Sequence, residues 1–231
     1  GKTVRYLLKR YPTPQQLARL GAKRLGRILR KVSRGRYNQD HAERLSRVAV
    51  HSVGVREGRW SIVEDIDNIL EALDLQDSFI TGCEQNIRRH LAEVPFSREL
   101  LTMKGIGEVT AAGIIGEVVD FTNFTSSREV EKFAGLNLYE LSSGQHQGKR
   151  RISKRGRSFL RKVLYFAALN TVRKGGVFHD TYQAYIDRGM PGNKALIAIS
   201  RKLLRVMFAM ARDQKPFIET YHQNSAIAEA A

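Results

Sequence analysis

Between residues 61 and 93, eight positions return in alternating steps of four and three: Ile62, Ile66, Ile69, Leu73, Gln76, Ile80, Cys83 and Ile87. A stripe with a mean period of 3.5 stays on one face only if the backbone is α-helical, so the stretch predicts one long helix with a coiled-coil-like seam. Its other faces carry Glu64, Asp65, Glu71, Asp74 and Asp77. Gln76 and Cys83 interrupt the seam, which leaves two readings open. The helix pairs between subunits, or it is an amphipathic helix packed on its own domain.

The acidity of this helix stands against a basic chain. The 231 residues carry a formal charge of +16, with an isoelectric point near 10.3. The charge is laid out in blocks. Gly1 to Gln39 holds twelve basic residues and no acid, Trp60 to Glu84 seven acids and no Lys or Arg, and Leu141 to His179 ten basic residues and no acid. A solvated surface usually mixes its signs, so two acid-free stretches predict two phosphate-facing surfaces. Nucleic acid is the first candidate partner and an anionic membrane surface the second. A hydrophobic content of 42% permits a real core. No apolar run approaches the ~18 residues that would span a bilayer, and no signal peptide is visible. The single cysteine, Cys83, fits a reducing, cytoplasmic setting.

Along the chain, Thr13 followed by Pro14 starts a helix through Leu17 and Leu20. Ser33-Arg34-Gly35-Arg36 breaks it, and helical periodicity resumes at His41. After Pro95 comes Leu100-Leu101-Thr102-Met103-Lys104-Gly105-Ile106-Gly107, then the small-residue run Val109, Ala111, Ala112, Ile114. This is a helix-hairpin-helix pattern. Its glycines, Gly105 and Gly107, allow positive φ and leave backbone N–H groups bare for a phosphate; a plain tight turn between core helices reads the same way. A helix from Ser127 to Phe133 stops at Ala134-Gly135-Leu136. The Ser-, Gly- and Gln-rich loop that follows is too polar to pack, with a possible short strand pair flanking it. Ser153-Lys154-Arg155-Gly156 is read as a turn, Ser158 as a helix cap, and a last long helix begins near Asn193 and ends before Pro216. The expected fold is mainly α. A basic helical arm covers 1–57, the acidic coiled-coil-like helix 58–97, a compact helical domain 98–222, and a flexible tail 223–231.

The six histidines and Cys83 show no zinc-ligand spacing, and no Walker loop follows Gly107, so metal: none is the expectation for this chain. What remains is the serine loop. Ser142 and Ser143 precede Gly144, and Lys149, Arg150, Arg151, Lys154, Arg155 and Arg157 follow closely. A hydroxyl beside a guanidinium cluster can attack a phosphodiester while cations stabilise the equatorial oxygens. Most Ser-Ser-Gly loops, however, are only linkers.

Several motifs occur in one order: Lys104-Gly105-Ile106-Gly107-Glu108-Val109-Thr110-Ala111-Ala112, Phe133-Ala134-Gly135-Leu136, Ser143-Gly144, and the run from Arg151 to Arg161. With Asn193-Lys194 and Arg201-Lys202-Leu203-Leu204, they resemble the C-terminal transposase domain of bridge-RNA-guided insertion-sequence transposases, to which pilin-gene invertases are similar. The resemblance spans roughly residues 98–218. Upstream, Tyr11-Pro12-Thr13-Pro14 and the acidic helix fit that family's linker and coiled coil. The resemblance implies a DNA transposase or recombinase whose nucleophile is Ser143, with Ser142 as the less favoured neighbour, joined covalently to DNA. The basic cluster beside the loop, read from its own residues, predicts phosphate contacts from Lys149, Arg150, Arg151, Lys154, Arg155 and Arg157. The resemblance also implies Mg²⁺ held by carboxylates of an RNase H-like N-terminal domain outside this sequence, a structured noncoding bridge RNA, and a homo-oligomer (dimer or tetramer). Without that domain the chain is expected to bind DNA but leave it uncut. The rival is a non-catalytic helix-hairpin-helix module that holds DNA for a separate enzyme.

Overall fold

Thr13 closes a capping box. Its hydroxyl accepts from the Gln16 backbone N–H at 3.3 Å, and the Gln16 side chain accepts from the Thr13 N–H at 3.1 Å. Asn38 repeats the device on His41. Such caps fix helix starts, and the mainly α expectation holds. The computed structural model describes residues 1–53, 58–140 and 150–218. Its contacts group into two units, Gly1–Gly82 and Cys83–Ala231.

In the first unit, α1 (Lys2–Arg10), α2 (Pro14–Val32) and α3 (Gln39–Val50) gather around Leu7, Leu25, Leu29 and Ala42. Gly21, at φ +68°, kinks α2, so a helix with a mid-chain glycine survives as two packed segments. The outer face of α2 leaves Lys23, Arg24, Arg27, Arg30 and Lys31 exposed. The sequence reading began its first helix at Thr13 and passed over α1. That helix is nine residues long and buries Leu7 alone.

The long helix α4 (Arg59–Leu91) forms as the seam requires. Leu70, off the seam, is its buried residue in this unit, while Ile69, Leu73 and Ile80 on the seam are 59%, 39% and 56% exposed. Packing among the described residues of this unit therefore leaves these seam positions uncovered. Asp74 and Asp77 take Arg5 of α1 at 3.3 and 2.5 Å. The hydrogen bond that Arg5 donates to Asp77 holds that guanidinium's pKa above its ordinary value.

The second unit is built on α10 (Gly192–Asp213), whose Ile199, Leu203, Leu204 and Met207 are fully buried. Around it lie α5 (Ser97–Leu101), α6 (Glu108–Val118), α7 (Ser127–Phe133), α8 (Ser158–Thr171) and α9 (His179–Asp187). Each buried Leu, Ile or Met side chain contributes about 1.5–3 kcal/mol. α6 and α8 approach closely at Gly113, where an added Cβ would lie 3.3 Å from Val163. Among the described residues, β structure is limited to the antiparallel pair β1 (Leu138–Tyr139) and β2 (Arg151–Ile152), in register Leu138 to Ile152. One sequence expectation is corrected, and one element is new. Ser158 is the first residue of α8 rather than its cap; Arg157 occupies the cap position, with no capping hydrogen bond from its side chain. Also, α9 occupies a stretch to which the sequence assigns no element. It contributes no fully buried residue, which leaves its periodicity faint. No helix among the described residues is long and apolar enough to cross a membrane.

Candidate nucleic-acid interface

From α7 the chain turns through Ala134-Gly135-Leu136 into β1, and it returns through β2 and the Ser153–Gly156 turn into α8. The two arms are tied by backbone bonds of 2.9 Å each: Ser153 N–H to Asn137 C=O, Lys154 N–H to Gly135 C=O, and Arg157 N–H to Phe133 C=O. The Ser153 hydroxyl adds a bond to the Asn137 side chain at 2.5 Å. Glycine is required twice in this closure. Gly135 sits at φ +67° and Gly156 at φ +144°. A Cβ on Gly156 would press on the Phe133 carbonyl and stand 2.8 Å from the Gly135 nitrogen. Arg161 bolts the crossing from inside, donating to the carbonyls of Ala134 at 2.9 Å and Gly156 at 3.2 Å. Sequence reasoning quoted these residues as a motif without finding the clamp. Its bonds join positions about twenty apart, a separation that no local period reports.

The clamp displays cations. Arg150, Arg151, Lys154, Arg155 and Arg157 are all exposed. Arg150 pairs with Glu140 at 3.1 Å, but its side chain is 75% exposed, so the pair adds at most about 1 kcal/mol. The Arg157 guanidinium lies 5.5 Å from the centre of the Phe133 ring, which restricts where its charge points. Together with Lys132, Arg155 and Gly156 these two residues line an open recess of about 570 Å³. The carboxylate on its wall, Glu129, is engaged by the Thr125 hydroxyl and N–H at 2.6 and 2.8 Å, which hold its pKa below the ordinary value. What faces solvent is therefore a net positive surface suited to phosphate oxygens. Ser143 and Lys149 lie outside the described residues, as do Ser142 and His146.

The turn expected to clamp a phosphate is elsewhere. Gly105, at φ +102°, packs on the end of α8, where an added Cβ would stand 3.2 Å from the Thr171 nitrogen. Gly107 caps α6 without a side-chain hydrogen bond. The next residue, Glu108, pairs with Arg88 at 2.5 Å and places a carboxylate in the first turn. The structure thus brings Arg150 to Arg157 together at one end of α8 and sets Gly105 at the other. Over 14 residues at 1.5 Å each the separation is about 20 Å. They are two features, not one site.

Also missed in the sequence was Glu131 of α7, whose side chain is 4% exposed. It accepts from Arg201 at 2.7 Å and from Arg205, one turn apart on α10. The available signal was the pair of arginines four residues apart on one helix face.

Comparison with known proteins gives this geometry its context. Residues 97–183, from α5 into α9, match the Transposase IS116/IS110/IS902 family. The chain is 28% identical over 218 residues to the insertion element IS110 uncharacterized 43.6 kDa protein of Streptomyces coelicolor, covering 92% of this chain and 52% of that protein. It is 36% identical over 85 residues to the transposase for insertion sequence element IS1328 of Yersinia enterocolitica, covering 37% and 25%. To the pilin gene-inverting protein of Moraxella bovis it is 28% identical over 126 residues, covering 54% and 39%. The chain spans about half the length of the first of these relatives.

Proposed function

We propose, from the match of residues 97–183 to insertion-sequence transposases, that this chain is the DNA-joining C-terminal portion of such an enzyme, with Ser143 as its nucleophile. The observation that carries the reading is the glycine-locked base at Gly135 and Gly156, with exposed arginines gathered on the strand and turn that follow the serine loop. In the proposed step the Ser143 hydroxyl oxygen attacks a backbone phosphorus. A phosphorus–oxygen bond to serine forms, the bond to one strand's sugar oxygen breaks, and that oxygen leaves with a proton as a free hydroxyl. Arg150, Arg151, Lys154, Arg155 and Arg157 balance charge on the phosphate oxygens. Mg²⁺ belongs in this reading to a domain outside the chain. Among the described residues no three His, Cys, Asp or Glu side chains come together, so none of this chain's carboxylates is assigned to it.

Binding is tested by salt titration on duplex DNA. Affinity is expected to fall with a log–log slope of roughly −0.9 per phosphate contacted. Replacing Arg150, Arg151 and Arg155 by alanine should flatten that slope by about 3 × 0.9 if each meets one phosphate. An unchanged slope would mean that these arginines merely solvate the loop.

A structured guide RNA is the second proposed partner, with the exposed cations of α2 as its surface. A triple Lys23, Arg27, Arg30→Ala variant that binds a folded RNA as tightly as the parent would exclude that surface. Subunit pairing along the α4 seam is proposed from its 3.5-residue spacing and its exposure. Leu73→Asp with Ile80→Asp should reduce the particle mass in light scattering and leave helical content unchanged. A loss of helical content instead would return the helix to the interior of its own unit.

A further inference from the structure

Along four turns of α10 runs a cleft of about 440 Å³ that the proposed reaction does not use. Arg201, Lys202 and Arg205 line one part of it, and Ala209, Met210 and Phe217 another. One wall is the chain beyond α10. Gln214, at φ +48°, turns the backbone, and the Phe217 N–H donates to the Thr102 hydroxyl at 2.9 Å, which holds that segment in place. Tyr185 of α9 also lines the cleft, with the Arg188 guanidinium 5.2 Å from its ring centre.

The charges do not cancel. Glu131 takes one Arg201 nitrogen and the Arg205 Nε, so one carboxylate serves two guanidinium groups and a positive charge is left over; the Arg201 Nε is itself buried, with no hydrogen-bond partner among the described residues. Lys202 and Lys215 add two more cations. The carboxylate on the wall, Asp213, is held by both forks of Arg212 at 2.7 and 3.1 Å. A small inorganic anion would use only the cationic part. The volume falls within the range of about 300–1,000 Å³ usual for organic ligands. A ligand that fills the whole cleft joins an anionic group to a body that packs on Tyr185 and Phe217, and a nucleotide offers a phosphate and the face of a base. A base paired and stacked in a duplex cannot enter, so the nucleotide must be unstacked.

We propose that this cleft receives one unstacked nucleotide of a single-stranded segment, its phosphate on Arg201, Lys202 and Arg205 and its base against Tyr185 and Phe217. The inference rests on the nucleic-acid reading and adds a second contact, distinct from the clamp at Gly135 and Gly156.

The test irradiates the 231-residue chain with 5-iodouracil single strands of about ten nucleotides, one of DNA and one of RNA, and maps the crosslinked peptides. Crosslinks are expected on peptides holding Tyr185, Met210 or Phe217, and the arm that yields them identifies the strand. Ala209→Trp, which fills the apolar part, should lower the yield about tenfold while leaving the salt slope on duplex DNA unchanged. If that variant loses its helical content, Lys202→Ala serves in its place, with an expected several-fold loss of yield. Crosslinks confined to peptides outside the cleft, or a yield indifferent to the variant that folds, would overturn the proposal while duplex binding persists. Loss of duplex binding in the parent chain would instead remove the nucleic-acid reading itself.

Discussion

Glu131→Ala should destabilise the chain by about 3–5 kcal/mol in urea unfolding, the largest effect expected of a single substitution outside the glycine clamp. The reason is asymmetry. Glu131 is buried and holds two arginines, of which Arg201 is 18% exposed and Arg205 48%. With the carboxylate gone, Arg205 swings into water at little cost, but Arg201 stays enclosed with its charge uncompensated. Glu131→Gln keeps the shape and one acceptor, so it should cost less than alanine. Arg205→Ala leaves the Arg201 pair intact and should cost least. The backbone carbonyl of Glu131, which alanine keeps, accepts from the Leu136 N–H at 2.8 Å, so the Ala134-Gly135-Leu136 turn should survive the substitution. A Glu131→Ala midpoint within about 1 kcal/mol of the parent would mean that the pair is structural ornament, well below the cost of breaking a buried ion pair.

Ser143→Ala should abolish strand cleavage, by about 10³-fold or more, in a preparation that supplies the proposed RNase H-like domain and guide RNA. Affinity for DNA should not change, because one hydroxyl is removed from a surface whose binding depends on its cations. A serine hydroxyl is a weak nucleophile at neutral pH, so activation must come from a base or from the geometry in which the phosphate is held. His146 lies three residues on, but that spacing in a loop defines no orientation. Equal losses of binding and cleavage would instead point to a structural role for this residue.

Much of the fold is legible in the sequence where the signal is local. Thr13-Pro14 marks a helix start, the stepped isoleucines mark α4, and the polar run after Leu136 marks the hairpin that β1 and β2 close. The parts that escaped are those in which one segment supplies the reason for another. Gly156 is a glycine because the Phe133 carbonyl lies against it, and nothing near Gly156 in sequence says so. Glu131 is buried because Arg201 and Arg205, seventy or more residues on, come to it. For the candidate site, composition marked the cations from Lys149 to Arg157 as one block. It could not separate the Gly105–Gly107 turn from the arginine cluster, because that separation is the length of α8. The exposure of Ile69, Leu73 and Ile80 was likewise undetermined by their spacing, which suits a seam inside one unit or between two copies.

The account stands most directly on which atom DNA becomes attached to. With the RNase H-like domain, Mg²⁺ and guide RNA supplied, the reaction is stopped in denaturant, the protein–DNA adduct is digested, and the modified peptide is sequenced by mass spectrometry. The account predicts an adduct on Ser143 that disappears in Ser143→Ala. An adduct on Ser142 or Ser153, one that persists in Ser143→Ala, or cleaved DNA with no adduct would contradict it.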